Sequence, residues 1–209
     1  VPDPAPAATD IIRHLRRHYE GTLLFDGRAS PARFIIDGTT GALVLALEPV
    51  ALAAAEHVLF VPEERDGAAE LMLSLQPIDR ERSDRAGLCD RWEACHGRTP
   101  LRAWALAEML GARWAGRIVD RDDLMRPDPL APHVAALCRA ANADPAALAH
   151  ACARLAGVSI ASPVAVGADA AGLDVRAAFG VVRLEFDRPA PTLDDAQRAI
   201  AGLLRGANA

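Results

Sequence analysis

The sequence predicts an α+β protein: a strand-rich antiparallel barrel in the N-terminal part, followed by a separate, small α/β domain. Three observations predict it. Between Thr22 and Leu75 short apolar runs recur roughly every ten residues and are divided by turn residues such as Asp26-Gly27 and Asp37-Gly38. That spacing leaves no room for the helical crossovers of a parallel sheet. Pro127, Pro129 and Pro132 then interrupt the chain. Beyond them Asp144-Pro145 and Gly157 bracket an apolar stripe, as an N-cap, a first-turn proline and a C-terminal glycine bracket a helix.

The 209 residues are enough for one large or two small domains, and 51% hydrophobic with 24% charged residues is the composition of a globular chain. The longest apolar runs, Ala42 to Leu47 and Val50 to Ala55, are broken by Glu48, Pro49 and Glu56, so no membrane segment is expected. The Pro/Ala-rich start lacks the basic and apolar regions of a signal peptide and reads as a loose tail, so a cytoplasmic location is expected. Cys89, Cys95, Cys138 and Cys152 match neither a disulfide scaffold nor a zinc pattern, and reduced thiols are expected. All 23 basic residues are arginine, which excludes a Schiff-base, Walker or kinase lysine. A net charge of −5 argues against broad nucleic-acid binding.

Thr9 or Asp10 is placed to cap a first helix in which Ile11, Ile12, Leu15 and Tyr19 recur at helical spacing. Arg13, His14, Arg16, Arg17 and His18 face outward, and Gly21 ends the helix. Strands are expected at Thr22–Phe25, Arg33–Ile36, Ala42–Leu47 and His57–Val61. Ala68–Leu75 adds another, with Leu71, Leu73 and Leu75 on one face and Glu70, Met72 and Ser74 on the other. Charged Asp79–Ala94, with Leu88 and Trp92 at i, i+4, reads as a helix crossing the barrel's end. From Arg102 to Val119 either period fits, but Gly111 and Gly116 oppose one continuous helix, so two strands are expected. The expected organisation is a flexible tail over 1–9, a barrel over 10–120, a Pro-rich linker over 121–132 and the α/β domain over 133–209.

In that last domain Leu148, Ala151, Cys152 and Leu155 form the buried stripe of the helix begun by Asp144, with His150 and Arg154 turned outward. Strands follow at Pro163–Gly167, Leu173–Ala177 and Val181–Phe186, the last two joined through Phe179-Gly180. Thr192-Leu193-Asp194-Asp195 opens a final helix with Ala196, Ile200, Leu203 and Leu204 on one face, giving the order ααβββα.

Asn142-Ala143-Asp144, Ala147-Leu148, Gly157, Gly172-Leu173-Asp174-Val175-Arg176, the strand Val181 to Phe186 and the acidic opening of the last helix also form a pattern. Over Val134 to Gly206 it resembles the C-terminal domain of the haem-utilisation (HugZ-like) branch of the pyridoxamine-phosphate-oxidase-like split-barrel superfamily. The first helix leading into Gly21-Thr22-Leu23-Leu24 looks like that family's entry into its first strand. The resemblance implies a split β-barrel of the FMN-binding type that pairs as a homodimer and holds FMN or haem near the dimer interface. Pro145 stands where haem-binding members carry histidine, and proline cannot ligate iron. Where flavin-binding members hold the FMN phosphate, Leu73 to Arg80 offers Ser74, Gln76 and Arg80.

Arg98, Arg102, Arg113 and Arg117 flank Trp104 and Trp114, and guanidinium groups beside indoles suit a planar anionic ligand. The candidate cofactor-binding set is therefore His96, Arg98, Arg102, Trp104, Arg113 and Trp114, with His96 the first choice as an axial haem ligand. His14 and His18, at i, i+4, are second choices; only Glu20 accompanies them, so no metal site is expected. Cys95 beside His96 has no assignable partner, and no catalytic residue is named. Three functions remain open: a haem- or flavin-binding protein of haem iron utilisation, with or without the family's own haem ligand; an FMN-dependent oxidoreductase; and a non-catalytic dimeric interaction protein. The cofactor expectation is accordingly haem, FMN or none.

Overall fold

The computed structural model describes residues 4–82, 84–99 and 103–206. These fall into two units, one reaching through Glu93 and from Gly97 to Arg126, the other running from Pro127 and including Ala94–His96.

The first unit opens with helix α1 (Pro4–Arg17), which begins earlier than Thr9 and Asp10 and contains both. Proline suits a helix start because its missing N–H has no partner in the first turn, and Pro4 occupies that place. The expected tail over 1–9 is thus helical from Pro4 onward. The helix also ends before Gly21, because Glu20 and Gly21 already pair with Arg33 and Ala32.

Six antiparallel strands follow: β1 (Glu20–Phe25), β2 (Arg28–Ile36), β3 (Leu43–Leu47), β4 (His57–Val61), β5 (Ala69–Ile78) and β6 (Ala103–Trp114). They pair in the order β3-β2-β1-β4-β5-β6, and β6 pairs again with β3, so the sheet closes into a barrel. An extra strand, β7 (Arg117–Asp120), joins the far end of β6. A single turn, α2 (Pro49–Leu52), links β3 to β4. Strand periodicity of two puts Leu23, Phe25, Leu59, Val61, Leu71, Leu73, Ala105, Ala107 and Met109 into one core, which Ala8, Ile11 and Leu15 of α1 complete. Each large apolar side chain so buried contributes roughly 1.5–3 kcal/mol.

Asp26 and Gly27 both take positive φ, 45° and 73°, making the tight turn between β1 and β2. The second Asp-Gly does otherwise: buried Asp37 accepts from Thr39 N at 3.1 Å and Thr40 Oγ1 at 2.7 Å. Gly41 carries that loop's positive φ, and a Cβ there would lie 2.7 Å from the Arg126 nitrogen. Ala115 and Gly116, at 50° and 74°, turn β6 into β7.

Helix α3 (Ala86–His96) is shorter than expected and lies on the barrel's outer wall, not across its end. The cause is Trp92: its Nε1 donates to the Arg33 carbonyl at 3.0 Å, and its ring meets Trp104 edge-on at 5.3 Å. Outward-facing Ile35, Val44, Ala46 and Leu106 are buried as well. The expected linker is also partly ordered. Its start is a helical turn, α4 (Arg121–Leu124), whose Leu124 enters the barrel core, and Ala131–His133 forms a 3-10 turn.

In the second unit α5 (Val134–Ala141) and α6 (Pro145–Ala156) precede β8 (Val164–Asp169), β9 (Gly172–Ala177) and β10 (Gly180–Glu185), and α7 (Leu193–Arg205) follows. The three strands form an antiparallel sheet in the order β10-β9-β8. Asp144 caps α6 by accepting from Ala147 N at 2.9 Å, Gly157 ends it at φ 68°, and Thr192 caps α7 by accepting from Asp195 N at 3.2 Å. Leu148, Ala151 and Cys152 are buried, but Leu155 in the last turn of α6 is 42% exposed and leaves the expected stripe. The turn between β9 and β10 is Ala178-Phe179, one residue earlier than expected, because Gly180 already pairs with Ala177. Among the described residues, no helix is long and apolar enough to cross a membrane.

Candidate functional site

Trp104 and Trp114 occupy opposite ends of β6, ten positions apart and so roughly 30 Å from each other along the strand. One ligand cannot reach both within a single barrel. At the Trp104 end, Arg80 stands 5.7 Å over the indole while its guanidinium is held by Asp90 at 2.6 Å and Glu93 at 3.0 Å. The Arg80 pairing holds the Glu93 carboxyl below its usual range. Arg80 and its carboxylates satisfy one another there.

The other sequence candidates are dispersed. Arg98 is exposed, and Arg102 lies outside the described residues. His96 ends α3 and groups with the second unit, whereas Arg98, Trp104, Arg113 and Trp114 belong to the first. Arg113 is committed to its cross-strand neighbour Glu70, at 2.6 Å.

The Trp114 end is different. A cleft of about 410 Å³ opens between α1 and the β6–β7 hairpin, lined by Asp10, Ile11, Arg13, His14 and Arg17 on one side and Trp114, Ala115 and Arg117 on the other. Helical spacing brings Asp10, Arg13, His14 and Arg17 onto the face beside the hairpin, while Leu15 and Ile11, which also lines the cleft, enter the barrel core. His14 and Trp114 meet at 4.6 Å between ring centroids, tilted by 31°. Each is pinned from behind: His14 Nε2 to the Val61 carbonyl at 3.1 Å, and Trp114 Nε1 to the Gly67 carbonyl at 3.1 Å. Rings held by such bonds lose little freedom when a ligand arrives.

Charge in the cleft is unbalanced, with Arg13, Arg17 and Arg117 facing the single carboxylate of Asp10. Asp10 reaches both Arg13 and Arg117 at 3.6 Å. His18 lies one turn along, 4.5 Å from His14 between centroids. Burial, then the neighbouring charges of His14, Arg65 and Arg17, push its pKa below the ordinary histidine value, so its imidazole is neutral at pH 7. Ala115 lines the same cleft in a left-handed conformation that costs a non-glycine residue about 1–2 kcal/mol, and such strain gathers at functional sites.

Trp114 and Arg117 are visible as neighbours in the sequence, but their meeting with α1 is not. The available signal was the pair of i, i+4 repeats, His14/His18 and Arg13/Arg17, on one short helix. Among the described residues no group of three or more His, Cys, Asp or Glu side chains is arranged to hold a metal ion.

No family model and no curated protein matches this chain. Among solved structures it is similar to a protein of unknown function from Agrobacterium tumefaciens, with 18% identity, a TM-score of 0.70, and 94% of this chain and 96% of that one covered. That likeness shows the fold. A haem-binding protein from Mycobacterium smegmatis also matches, with 22% identity, a TM-score of 0.42, and 99% of this chain and 98% of that one covered.

Proposed function

We propose that this chain is a split-barrel protein of the FMN-binding type, in the haem-utilisation branch, which binds a planar anionic ligand between α1 and the β6–β7 hairpin. The observation that carries the reading is the His14–Trp114 pair, pinned at both ends and set among Arg13, Arg17 and Arg117. Guanidinium groups pair with carboxylates or phosphates, while an indole offers a flat apolar surface to a ring. The cleft volume lies in the ~300–1,000 Å³ range of small-molecule sites. The family placing rests on the resemblance from Asn142 to the last helix and on a closed barrel entered through a helix and Gly21.

Haem is the first ligand of this reading, because the cleft offers cations for two propionates and His18, one turn along α1 and 4.5 Å from the lining residue His14, offers an imidazole for iron. His18 replaces the family histidine missing at Pro145, its depressed pKa keeping it in the ligating form. His14 positions Trp114, its Nε2 being engaged with Val61. His96, which groups with the second unit, is a separate candidate ligand and not part of this cleft. The protein pairs as a homodimer in this reading, supported by the exposed Met72, Leu110 and Ile118 on the adjacent strands β5, β6 and β7.

Haemin titration tests the proposal. Wild type gives a saturable Soret change, His18→Ala shifts or abolishes it, and Arg117→Gln weakens it. A spectrum unchanged in His14→Ala, His18→Ala and His96→Ala sinks histidine ligation. A purified protein with a flavin spectrum replaces haem by FMN.

A further inference from the structure

The second unit contains a groove that the proposed ligand does not use. It runs between the end of α6, the segment after β10, and the outer side of α7, with a volume of about 710 Å³. Leu155, Phe186, Ala199 and Leu203 supply its apolar surface. Leu155 is 42% exposed there, although the rest of its helix stripe is buried. An apolar side chain turned out of a core and into a groove leaves a surface that a ligand's apolar body can cover.

Gly202 sits inside α7 on the same groove, where a Cβ would meet nothing within 4 Å. Packing therefore does not require glycine at this position, although glycine is the poorest helix former after proline. Its effect is to keep the groove wide.

The charges define what enters. Arg154, Arg188 and Arg198 face Asp187 and Asp195, three cations against two carboxylates, which leaves one positive charge in excess. Arg154 is occupied, since its Nη2 donates to the Leu203 carbonyl at 3.0 Å. Arg198 is paired with Asp195. Arg188 is exposed and has no hydrogen-bond or ion-pair partner among the described residues.

We infer that this groove binds a monoanionic amphiphile: an apolar body against Leu155, Phe186 and Leu203, with one carboxylate or sulfonate at Arg188. A dianionic phosphate would exceed the single spare charge, and a neutral apolar molecule would leave it unmet.

Anilinonaphthalene sulfonate, an apolar bicycle with one anionic group, is the probe, read by its fluorescence on the full-length chain. It binds wild type saturably, and octanoate displaces it far better than octanol does. Gly202→Leu, which improves helix propensity while filling open space, weakens binding by about tenfold or more. Arg188→Gln weakens it about threefold, the size of an exposed ion pair. Trp114→Ala leaves it unchanged, because Trp114 lies in the first unit's cleft. Unchanged affinity in Gly202→Leu and Arg188→Gln, both shown to melt like wild type, overturns the proposal. So does octanol competing as well as octanoate, or loss of binding in Trp114→Ala.

Discussion

The imidazole of His14 lies against the indole of Trp114 at 4.6 Å, and this contact ties the first helix to the hairpin that extends the barrel. Trp114 is only half-buried, so its truncation costs less than a core tryptophan. We expect Trp114→Ala to destabilise the first unit by about 1–3 kcal/mol, including the ~0.5–1.5 of an aromatic pair, and Trp114→Phe to keep most of it. Urea titrations compare them. Equal losses in both variants would show that the Gly67 hydrogen bond matters more than the ring contact.

Along α6, burial separates residues that the sequence grouped together. Leu148→Ala should cost about 2–5 kcal/mol, since Leu148 is fully buried. Leu155→Ala and exposed His150→Ala should each stay within about 0.5 kcal/mol. Denaturant midpoints measure all three, and a Leu155 loss matching that of Leu148 would contradict the exposure of the last turn.

His18 makes stability depend on pH in a definite direction. Its folded pKa lies below 6.5, chiefly through burial, so below pH 6.5 the unfolded chain takes up this proton more readily than the folded one. Its contribution is therefore fully present above pH 6.5 and is lost as pH falls through the folded value. His18→Asn should lose less stability than wild type between pH 7.5 and 5.5, as read from paired melts. Identical pH profiles would place His18 in water.

Self-association should run through the exposed apolar residues of β5 to β7. Ile118, 78% exposed, is the most open of them, and Ile118→Arg should yield a monomer where wild type sediments as a dimer. A wild-type monomer at micromolar concentration removes the homodimer from the functional reading.

Local chemistry made much of this legible in advance. Asp26-Gly27 turns as an aspartate-glycine pair between strands should, and Asp144 and Thr192 each bond a backbone N–H three residues on. Competition made the rest harder. Thr9 and Asp10 look like caps, but the helix runs past them, and Trp92 found its acceptor on β2, a partner that no periodicity in α3 could name. The described candidate residues are spread out because neighbours in sequence need not be neighbours in space. On an extended strand each residue adds about 3.3 Å, so Trp104 and Trp114 diverged, while Arg13 and Arg117, about a hundred positions apart, met across Asp10.

Strand β6 hydrogen-bonds to β3, β5 and β7, and it is the last of the six barrel strands in chain order. Synthesis from the N-terminus therefore delivers β1 to β5 first, as an open sheet whose outer strands β3 and β5 each show a bare edge. Bare edges invite pairing with other chains, and a growing polypeptide cannot remove them until residues 103–114 arrive to stitch both at once. Ribosome-tethered chains released just before and just after this stretch should differ sharply in protease resistance. Birth order thus makes β6 the clasp of the first unit, and the interval before it emerges is the time when a chaperone has most to protect.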